Sequence, residues 1–148
     1  VDLDRSRVHF LGLVPYERYL KVLQVSRAHV YLTYPFVLSW SMLEAMAAGC
    51  LVVGSRTAPV EEVIEDGRNG FLADFFSPEE IAGRVAEALD LRDGRDALCE
   101  RARQTVEENY SLAGCLPRHV DLVRALASGA PTPAGALGPA AGRKATPR

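Results

Sequence analysis

The sequence lacks the features of several large protein classes. Its 148 residues include 17 basic and 19 acidic side chains, for a formal net charge of −2, whereas nucleic-acid-binding proteins carry a strong basic excess. No apolar run approaches the ~20 residues of a transmembrane helix, and the opening residues, VDLDRSR, lack the apolar stretch of a signal peptide. The composition therefore argues against a nucleic-acid partner and against a membrane span.

Cysteine is also scarce. Cys50, Cys99 and Cys115 are an odd number, without the C-x-x-C spacing or the nearby histidine pair of a zinc site. Such cysteines are typical of small apolar side chains that stay reduced in a cytoplasmic protein. We therefore expect a cytoplasmic protein without disulfides or bound zinc.

Short apolar runs and helical patterns alternate along most of the chain. The apolar runs are RVHFL (7–11), AHVYLT (28–33), CLVVG (50–54) and FLADF (71–75). Near-continuous apolar strands are typical of parallel sheets covered on both faces, and their alternation with helices predicts an α/β fold with right-handed crossovers. The prediction is a Rossmann-like layer over residues 1–127, with about four parallel strands and helices on both faces of the sheet.

The two ends of the chain differ from this pattern. The sequence opens on Val1 rather than Met, and its first strand-like run begins within about eight residues, so we expect a fragment of a longer enzyme. From Ser128 onward the chain reads SGAPTPAGALGPAAGRKATPR. Proline, glycine and alanine offer almost nothing to bury, which predicts a disordered tail over residues 128–148.

The segment YLTYPFVLSWSMLEAMAAGCLVVG has the order strand, loop, helix, strand. Open α/β sheets bind ligands beyond the carboxyl ends of their strands. The loop 34–39 leads into a helix that Ser39 or Ser41 can cap. Free backbone N–H groups and the helix dipole at such a start favour an anion, commonly a phosphate.

Glu44 is the most informative charged residue in that helix. Its neighbours, Leu43 and the run 45–48, are small or apolar. A carboxylate in such surroundings either points to solvent or has a hydroxyl or cation to receive it. Vicinal sugar hydroxyls suit it, because they supply two donors to a group that only accepts. Both interpretations stay open on the residues alone.

Several spaced blocks resemble one enzyme family in the same order. The sequence is similar to the carboxy-terminal domain of the GT-B glycosyltransferases, in the large retaining group that includes sucrose synthase and bacterial mannosyltransferases. The likeness covers about residues 7–115, and an ordered set of blocks is more specific than any single motif. The matching blocks are EAMA (44–47), Gly49, VV (52–53), PVEEVI (59–64) and DGRNG (66–70).

The resemblance implies the carboxy-terminal half of a GT-B fold that binds a nucleoside-diphosphate sugar for retaining hexosyl transfer. Glu44 matches the glutamate that hydrogen-bonds the ribose. Val37, Leu38 and Ser39 match the backbone amides that receive the phosphate and sugar, and Val14 falls where a loop flanks the base. The resemblance implies no metal and no cofactor apart from the sugar nucleotide. The basic residues that clamp the diphosphate are expected to precede Val1.

Phe36 departs from the family pattern. Eight residues before Glu44 the family usually has the first glutamate of a pair, of which Glu44 matches the second. That first glutamate contacts the sugar, and phenylalanine cannot accept a hydrogen bond. The catalytic residues are therefore unknown. The main expectation is an altered sugar contact in an active enzyme, and the alternative is a non-catalytic homologue that serves as a binding or scaffolding subunit.

The implied architecture also carries expectations about partners. An amino-terminal GT-B domain is expected to hold the acceptor, so residues 1–148 alone should be inactive. The face on which that domain docks should expose apolar side chains, which favour self-association of the isolated chain.

The tail provides a first prediction. Residues 130–148 should exchange their amide hydrogens rapidly in the monomer, because too few large apolar side chains offset the entropy of ordering. Hydrogen exchange measured by mass spectrometry tests this, with the buried run 50–54 as the slow reference. Slow exchange across 130–148 would contradict the prediction.

Overall fold

A computed structural model of the protein describes residues 4–34 and 37–131. Within these residues, three parallel strands form one sheet in the order β1-β2-β3. After a 3-10 turn at Arg5–Arg7, the elements are α1 (Tyr16–Val25), β1 (Ala28–Tyr31), α2 (Trp40–Ala47), β2 (Leu51–Ser55), α3 (Ala58–Glu61), β3 (Phe71–Ala73), α4 (Pro78–Asp90), α5 (Arg95–Tyr110) and α6 (Leu112–Ser128). The predicted α/β architecture with a parallel sheet is confirmed.

The prediction of a strand at RVHFL (7–11) is wrong. Arg7 ends the 3-10 turn, and residues 8–11 form neither helix nor strand. Phe10 is 94% exposed. A strand needs a neighbouring backbone edge to pair with, and β1 pairs only with β2 within the described residues. The sheet therefore has three described strands rather than about four.

The strand predicted at AHVYLT (28–33) is shorter and more open than expected. It ends at Tyr31, and Val30 is 42% exposed. The expectation that both of its faces are covered is wrong at its carboxyl end: Ala28 packs against buried core residues, whereas Val30 on the same face is not covered. The central strand β2 does fit the expectation, since all five of its residues are buried.

Local sequence signals explain where the helices begin and end. The Ser39 side chain accepts a hydrogen bond from the Ser41 N–H at the start of α2, and Ser77 does the same for the Glu80 N–H in α4. Helix α2 ends in a Schellman motif: the Gly49 N–H donates to the Met46 carbonyl, and the Cys50 N–H donates to the Ala45 carbonyl. Gly49 has φ +79°, a conformation that favours glycine.

Two hydrophobic clusters cover the two faces of the sheet. One contains Val52 and Leu72 from the strands, with buried residues of α2, α3 and α5. The other contains Leu51 and Val53, with Phe71 and buried residues of α4 and α5. Alternate residues of β2 thus enter opposite clusters, as the two-residue period of a strand requires. The predicted helix layers on both faces are confirmed.

The DGRNG turn (66–70) is a glycine turn that also makes hydrogen bonds to other parts of the domain. The Asn69 side chain is buried; its oxygen accepts from the Glu65 N–H at 2.8 Å, and its amide donates to the Val63 carbonyl and to Thr105 Oγ1, each at 3.0 Å. Asp66 Oδ1 accepts from the Leu72 N–H at 3.0 Å. These bonds join the turn to β3 and to α5.

Helix α6 makes few contacts with the rest of the domain. None of its residues is buried, and its exposed apolar side chains recur at helical spacing. They are Leu112, Leu116, Val123 and Leu126.

Among the described helices, none is both long and apolar enough to cross a membrane. Helix α6 extends to Ser128, the first residue of the predicted tail, and residues 132–148 of that tail lie outside the described residues.

Gly54 provides a stability test of the sheet packing. A Cβ at this position would lie 2.9 Å from Val60 Cγ1 and 3.4 Å from Ile64 Cδ1. Gly54→Ala should therefore lower the free energy of unfolding by about 1–3 kcal/mol, the usual range for overpacking. Thermal and urea denaturation measure the loss.

Gly83→Ala is the matched control for this substitution. Gly83 lies inside α4, and a Cβ there meets nothing within 4 Å. Alanine should raise stability at this site by up to ~1 kcal/mol, because it has the better helix propensity. Equal effects of the two substitutions would refute the close approach of α3 to the sheet.

Candidate functional site

The loop after β1 is held at both ends by buried hydroxyl groups. At its start, Ser55 Oγ accepts from the Thr33 N–H at 3.0 Å and donates to the Thr33 carbonyl at 2.8 Å. At its end, Tyr31 Oη accepts from the Ser39 N–H at 2.8 Å. Ser55 ends β2 and Tyr31 ends β1, so the loop lies at the carboxyl edge of the sheet. This is the edge at which open α/β sheets bind ligands.

The three loop residues predicted to contact the phosphate lie together before α2. Val37 is exposed, and Leu38 is half-buried against the core. The Ser39 side chain caps α2, and its N–H is already bonded to Tyr31. The adjacent Trp40 is 81% exposed. Phe36, the residue at the usual first-glutamate position, lies outside the described residues.

Glu44 lies on the second turn of α2 and is half-buried. The Tyr16 hydroxyl donates to Glu44 Oε1 at 3.0 Å, across 28 residues of sequence. The Tyr19 hydroxyl is buried and completes no hydrogen bond with the described residues. The two tyrosine rings lie side by side, with centroids 6.0 Å apart. The carboxylate is thus met by one hydroxyl of the chain and remains partly open to solvent.

Both phenol groups at Glu44 are held in their protonated form. The hydrogen bond to Glu44 raises the pKa of Tyr16. Burial, followed by the nearby Glu44 charge, raises the pKa of Tyr19 to about 12. A negative neighbour and a low-dielectric surrounding both disfavour a phenolate. The two hydroxyls therefore remain hydrogen-bond donors at neutral pH.

Val14 lies close to this pair along the chain. It is half-buried and precedes Tyr16, the first residue of α1, by two positions. The bond from Tyr16 to Glu44 brings the start of α1 against α2. The structure therefore places the predicted base-flanking loop near the predicted ribose carboxylate.

Sequence reasoning missed Tyr16, Tyr19, Tyr31 and Ser55 as parts of this region. Tyr16 and Tyr19 share one face of α1 through their three-residue spacing, which was the available signal. Tyr31 lies in one predicted strand and Ser55 directly follows another, and residues at the carboxyl ends of strands reach the ligand edge of an α/β sheet. Nothing in their local sequence specifies which backbone group they bind.

A cluster of three aromatic rings lies further along the same edge. Tyr34 follows β1, and Phe75 and Phe76 follow β3. The Tyr34 ring meets both phenylalanine rings edge to face at centroid distances of 5.9 Å, and Phe75 meets Phe76 at 5.1 Å. The cluster joins the loop after β1 to the turn after β3.

Two arginines of the described chain share one carboxylate. Arg56 follows β2, and its Nη2 lies 3.0 Å from Asp66 Oδ2. Arg84 Nη2 lies 2.9 Å from the same oxygen. Within the described part of the chain, no three His, Cys, Asp or Glu side chains are grouped so that they could hold a metal ion. The expectation of a metal-free site stays a prediction.

Comparison with known proteins identifies relatives of this chain. Residues 4–105 match the family described as glycosyl transferases group 1. An uncharacterised glycosyltransferase of Methanocaldococcus jannaschii is 30% identical over 105 residues, which are 70% of this chain and 27% of that protein. The N-acetyl-alpha-D-glucosaminyl L-malate synthase of Bacillus anthracis is 29% identical over 105 residues, covering 71% of this chain and 27% of that protein. The chain thus spans only 27% of the length of either relative.

Solved structures show the same fold. The crystal structure of Anabaena HepE in complex with UDP and glucose gives a TM-score of 0.71 at 19% identity, over 83% of this chain and 32% of HepE. The HepE structure in complex with UDP gives a TM-score of 0.63 at 18% identity, over 73% of this chain and 29% of that one. The parallel sheet and its helices match the carboxy-terminal half of a GT-B glycosyltransferase. With residues 4–105 matched, the chain belongs to the glycosyl transferases group 1 family.

Proposed function

We propose that this domain binds a nucleoside-diphosphate sugar and that the complete protein transfers the hexosyl group to an acceptor with retention of anomeric configuration. The observation that carries the proposal is the half-buried Glu44 carboxylate at the carboxyl edge of a parallel sheet. The family match and the likeness to the fold of a UDP-bound protein support it. No cofactor enters the proposal apart from the sugar nucleotide itself.

The chemistry of Glu44 suits a ribose. One carboxylate oxygen, Oε1, accepts from Tyr16, and the nearby Tyr19 hydroxyl interacts with the same carboxylate. A carboxylate offers about four lone-pair positions. It can therefore keep the Tyr16 bond and still accept both hydroxyls of a vicinal diol.

The start of α2 suits the diphosphate. The helix dipole attracts an anion, and in the reaction it would stabilise the departing nucleoside diphosphate. The Ser41 and Met42 N–H groups are already bonded to the Ser39 side chain and carbonyl, so they do not supply these contacts. We assign the phosphate contacts to the backbone of Val37 and Leu38. For Ser39 to contribute, its N–H has to exchange Tyr31 Oη for a phosphate oxygen, because the structure already pairs it there.

The acceptor and the diphosphate clamp are assigned to the part of the protein outside this chain. The relatives are far longer, since this chain covers 27% of their length. Phe10 and Leu13 are exposed large apolar residues before α1, as expected of a surface that an amino-terminal domain covers. In the isolated chain the same surface favours self-association. We propose that the protein is located in the cytoplasm, and this proposal rests only on its cysteine content.

A second candidate function is a non-catalytic binding or scaffolding subunit. It is favoured by Phe36, which occupies the position of the family's sugar-contacting glutamate. An enzyme releases the nucleoside diphosphate from its sugar in the presence of acceptor, whereas a binding subunit leaves the sugar nucleotide intact. Chromatography of UDP- and GDP-sugars incubated with the full-length protein separates the two candidates.

Glu44→Gln tests the proposed site directly. In the full-length protein it should weaken UDP or GDP binding and lower kcat/KM by about ten- to a hundredfold, because a charged hydrogen-bond acceptor is lost. The fold should persist, since the glutamine oxygen can still accept from Tyr16. Isothermal titration calorimetry gives the affinity, and thermal denaturation checks the fold.

Glu107→Gln is the matched control, because Glu107 is exposed on α5. It should leave nucleotide affinity unchanged. Wild-type affinity for both UDP and GDP in the Glu44→Gln protein would remove the main reason for placing the sugar nucleotide at this edge. Loss of the fold in that variant would instead show that Glu44 serves as a structural acceptor.

Phe36→Glu tests the departure from the family pattern. If the sugar lies where the family places it, a glutamate there should raise kcat/KM, because it restores an acceptor for the sugar hydroxyls. Initial rates with a panel of UDP- and GDP-sugars measure the change. Lower activity with unchanged nucleotide affinity would mean that this protein requires the phenyl ring.

A further inference from the structure

Tyr16 donates a hydrogen bond to Glu44, and it lies outside the sequence blocks that matched the family. It begins α1, and its side chain is 59% exposed. Its hydroxyl nevertheless crosses to α2 and meets Glu44 Oε1 at 3.0 Å. Because Tyr16 is exposed and bonds the proposed ribose carboxylate, a ligand bound by Glu44 would lie next to Tyr16.

The bond limits the positions open to the carboxylate. A glutamate side chain on a helix has several rotamers, and ordering it costs conformational entropy. Tyr16 selects one of these positions before a ligand arrives, and its bond is to Oε1 alone. Preorganisation of this kind improves affinity because less freedom is lost on binding.

Tyr19 restricts Tyr16 in turn. Its ring is tilted by 37° against the Tyr16 ring at a centroid distance of 6.0 Å. Its own hydroxyl is buried without a bond to the described residues. Because both residues project from the same face of α1, the Tyr16 ring is supported on one side and exposed on the other. The exposed side is available to a nucleoside.

We propose that Tyr16 is a positioning residue for nucleotide recognition: its hydroxyl orients the Glu44 carboxylate toward the ribose diol, and its exposed ring forms a wall of the same nucleoside pocket. Val14, two residues earlier, continues this wall toward the base. The inference rests on the proposed function, because it requires Glu44 to bind ribose. It adds a residue that determines selectivity for a ribose with both hydroxyl groups.

The test compares UDP with 2′,3′-dideoxy-UDP, and GDP with its dideoxy analogue, in the full-length protein. Tyr16→Phe removes only the hydroxyl and keeps the ring. It should weaken binding of the natural nucleotide by about three- to tenfold. It should leave the dideoxy analogue unaffected, because that ligand has no diol for Glu44 to receive. Tyr16→Ala removes the ring as well and should weaken both ligands.

A double-mutant cycle ties the effect to Glu44. In the Glu44→Gln background, Tyr16→Phe should change the affinity for UDP or GDP by less than about twofold, because residues that act through one contact are not additive. Full additivity would overturn the inference. Thermal denaturation of each variant confirms that the affinities refer to folded protein.

The outcomes separate this inference from the proposed function. If Glu44→Gln leaves UDP and GDP affinity unchanged, the proposed ribose site itself fails. If Glu44→Gln weakens binding but Tyr16→Phe does not, only the role of Tyr16 is overturned. If Tyr16→Phe weakens the natural and dideoxy nucleotides equally, its hydroxyl merely holds α1 against α2, and the inference is again overturned.

Discussion

Complete burial of β2 is the constraint on which the rest of this domain depends. All five residues from Leu51 to Ser55 are buried, and their side chains alternate between two hydrophobic clusters. Gly54 lets α3 approach the sheet, where a Cβ would collide with Val60. Because β2 pairs with β1 on one side and β3 on the other, its position fixes where the carboxyl ends of both neighbouring strands lie. The candidate site is built on those ends.

Hydrogen bonds connect the ends of the strands to the backbone of the candidate site. Ser55 ends β2 and binds both backbone groups of Thr33, and Tyr31 ends β1 and binds the Ser39 N–H. The loop between them is therefore held where α2 begins. Once α2 is placed, Glu44 on its second turn faces the start of α1. Buried polar groups that are satisfied in this way make the loop geometry specific, because breaking either pair leaves a buried group without a bond.

The surroundings of Glu44 combine the two interpretations that its sequence left open. The carboxylate is partly open to solvent, and it also has a hydroxyl to receive it, from Tyr16. Such an arrangement suits a ligand site better than a buried structural acceptor, since Tyr16 orients one oxygen while the carboxylate stays partly open to solvent.

The sequence by itself determined the features that depend on residues a few positions apart, such as helix ends. It also identified the family. Ser39, one of the two predicted caps, caps the start of α2, and the ordered blocks identified the glycosyltransferase family. Ser77 caps α4 and Gly49 ends α2 through equally local contacts. Only the tertiary structure decided which strands exist and what meets Glu44. The run 7–11 has strand composition but no described edge to pair with, and Tyr16 reaches Glu44 across 28 residues. Caps and turns close within one chain segment, whereas strand pairing and contacts between helices depend on how separate segments pack.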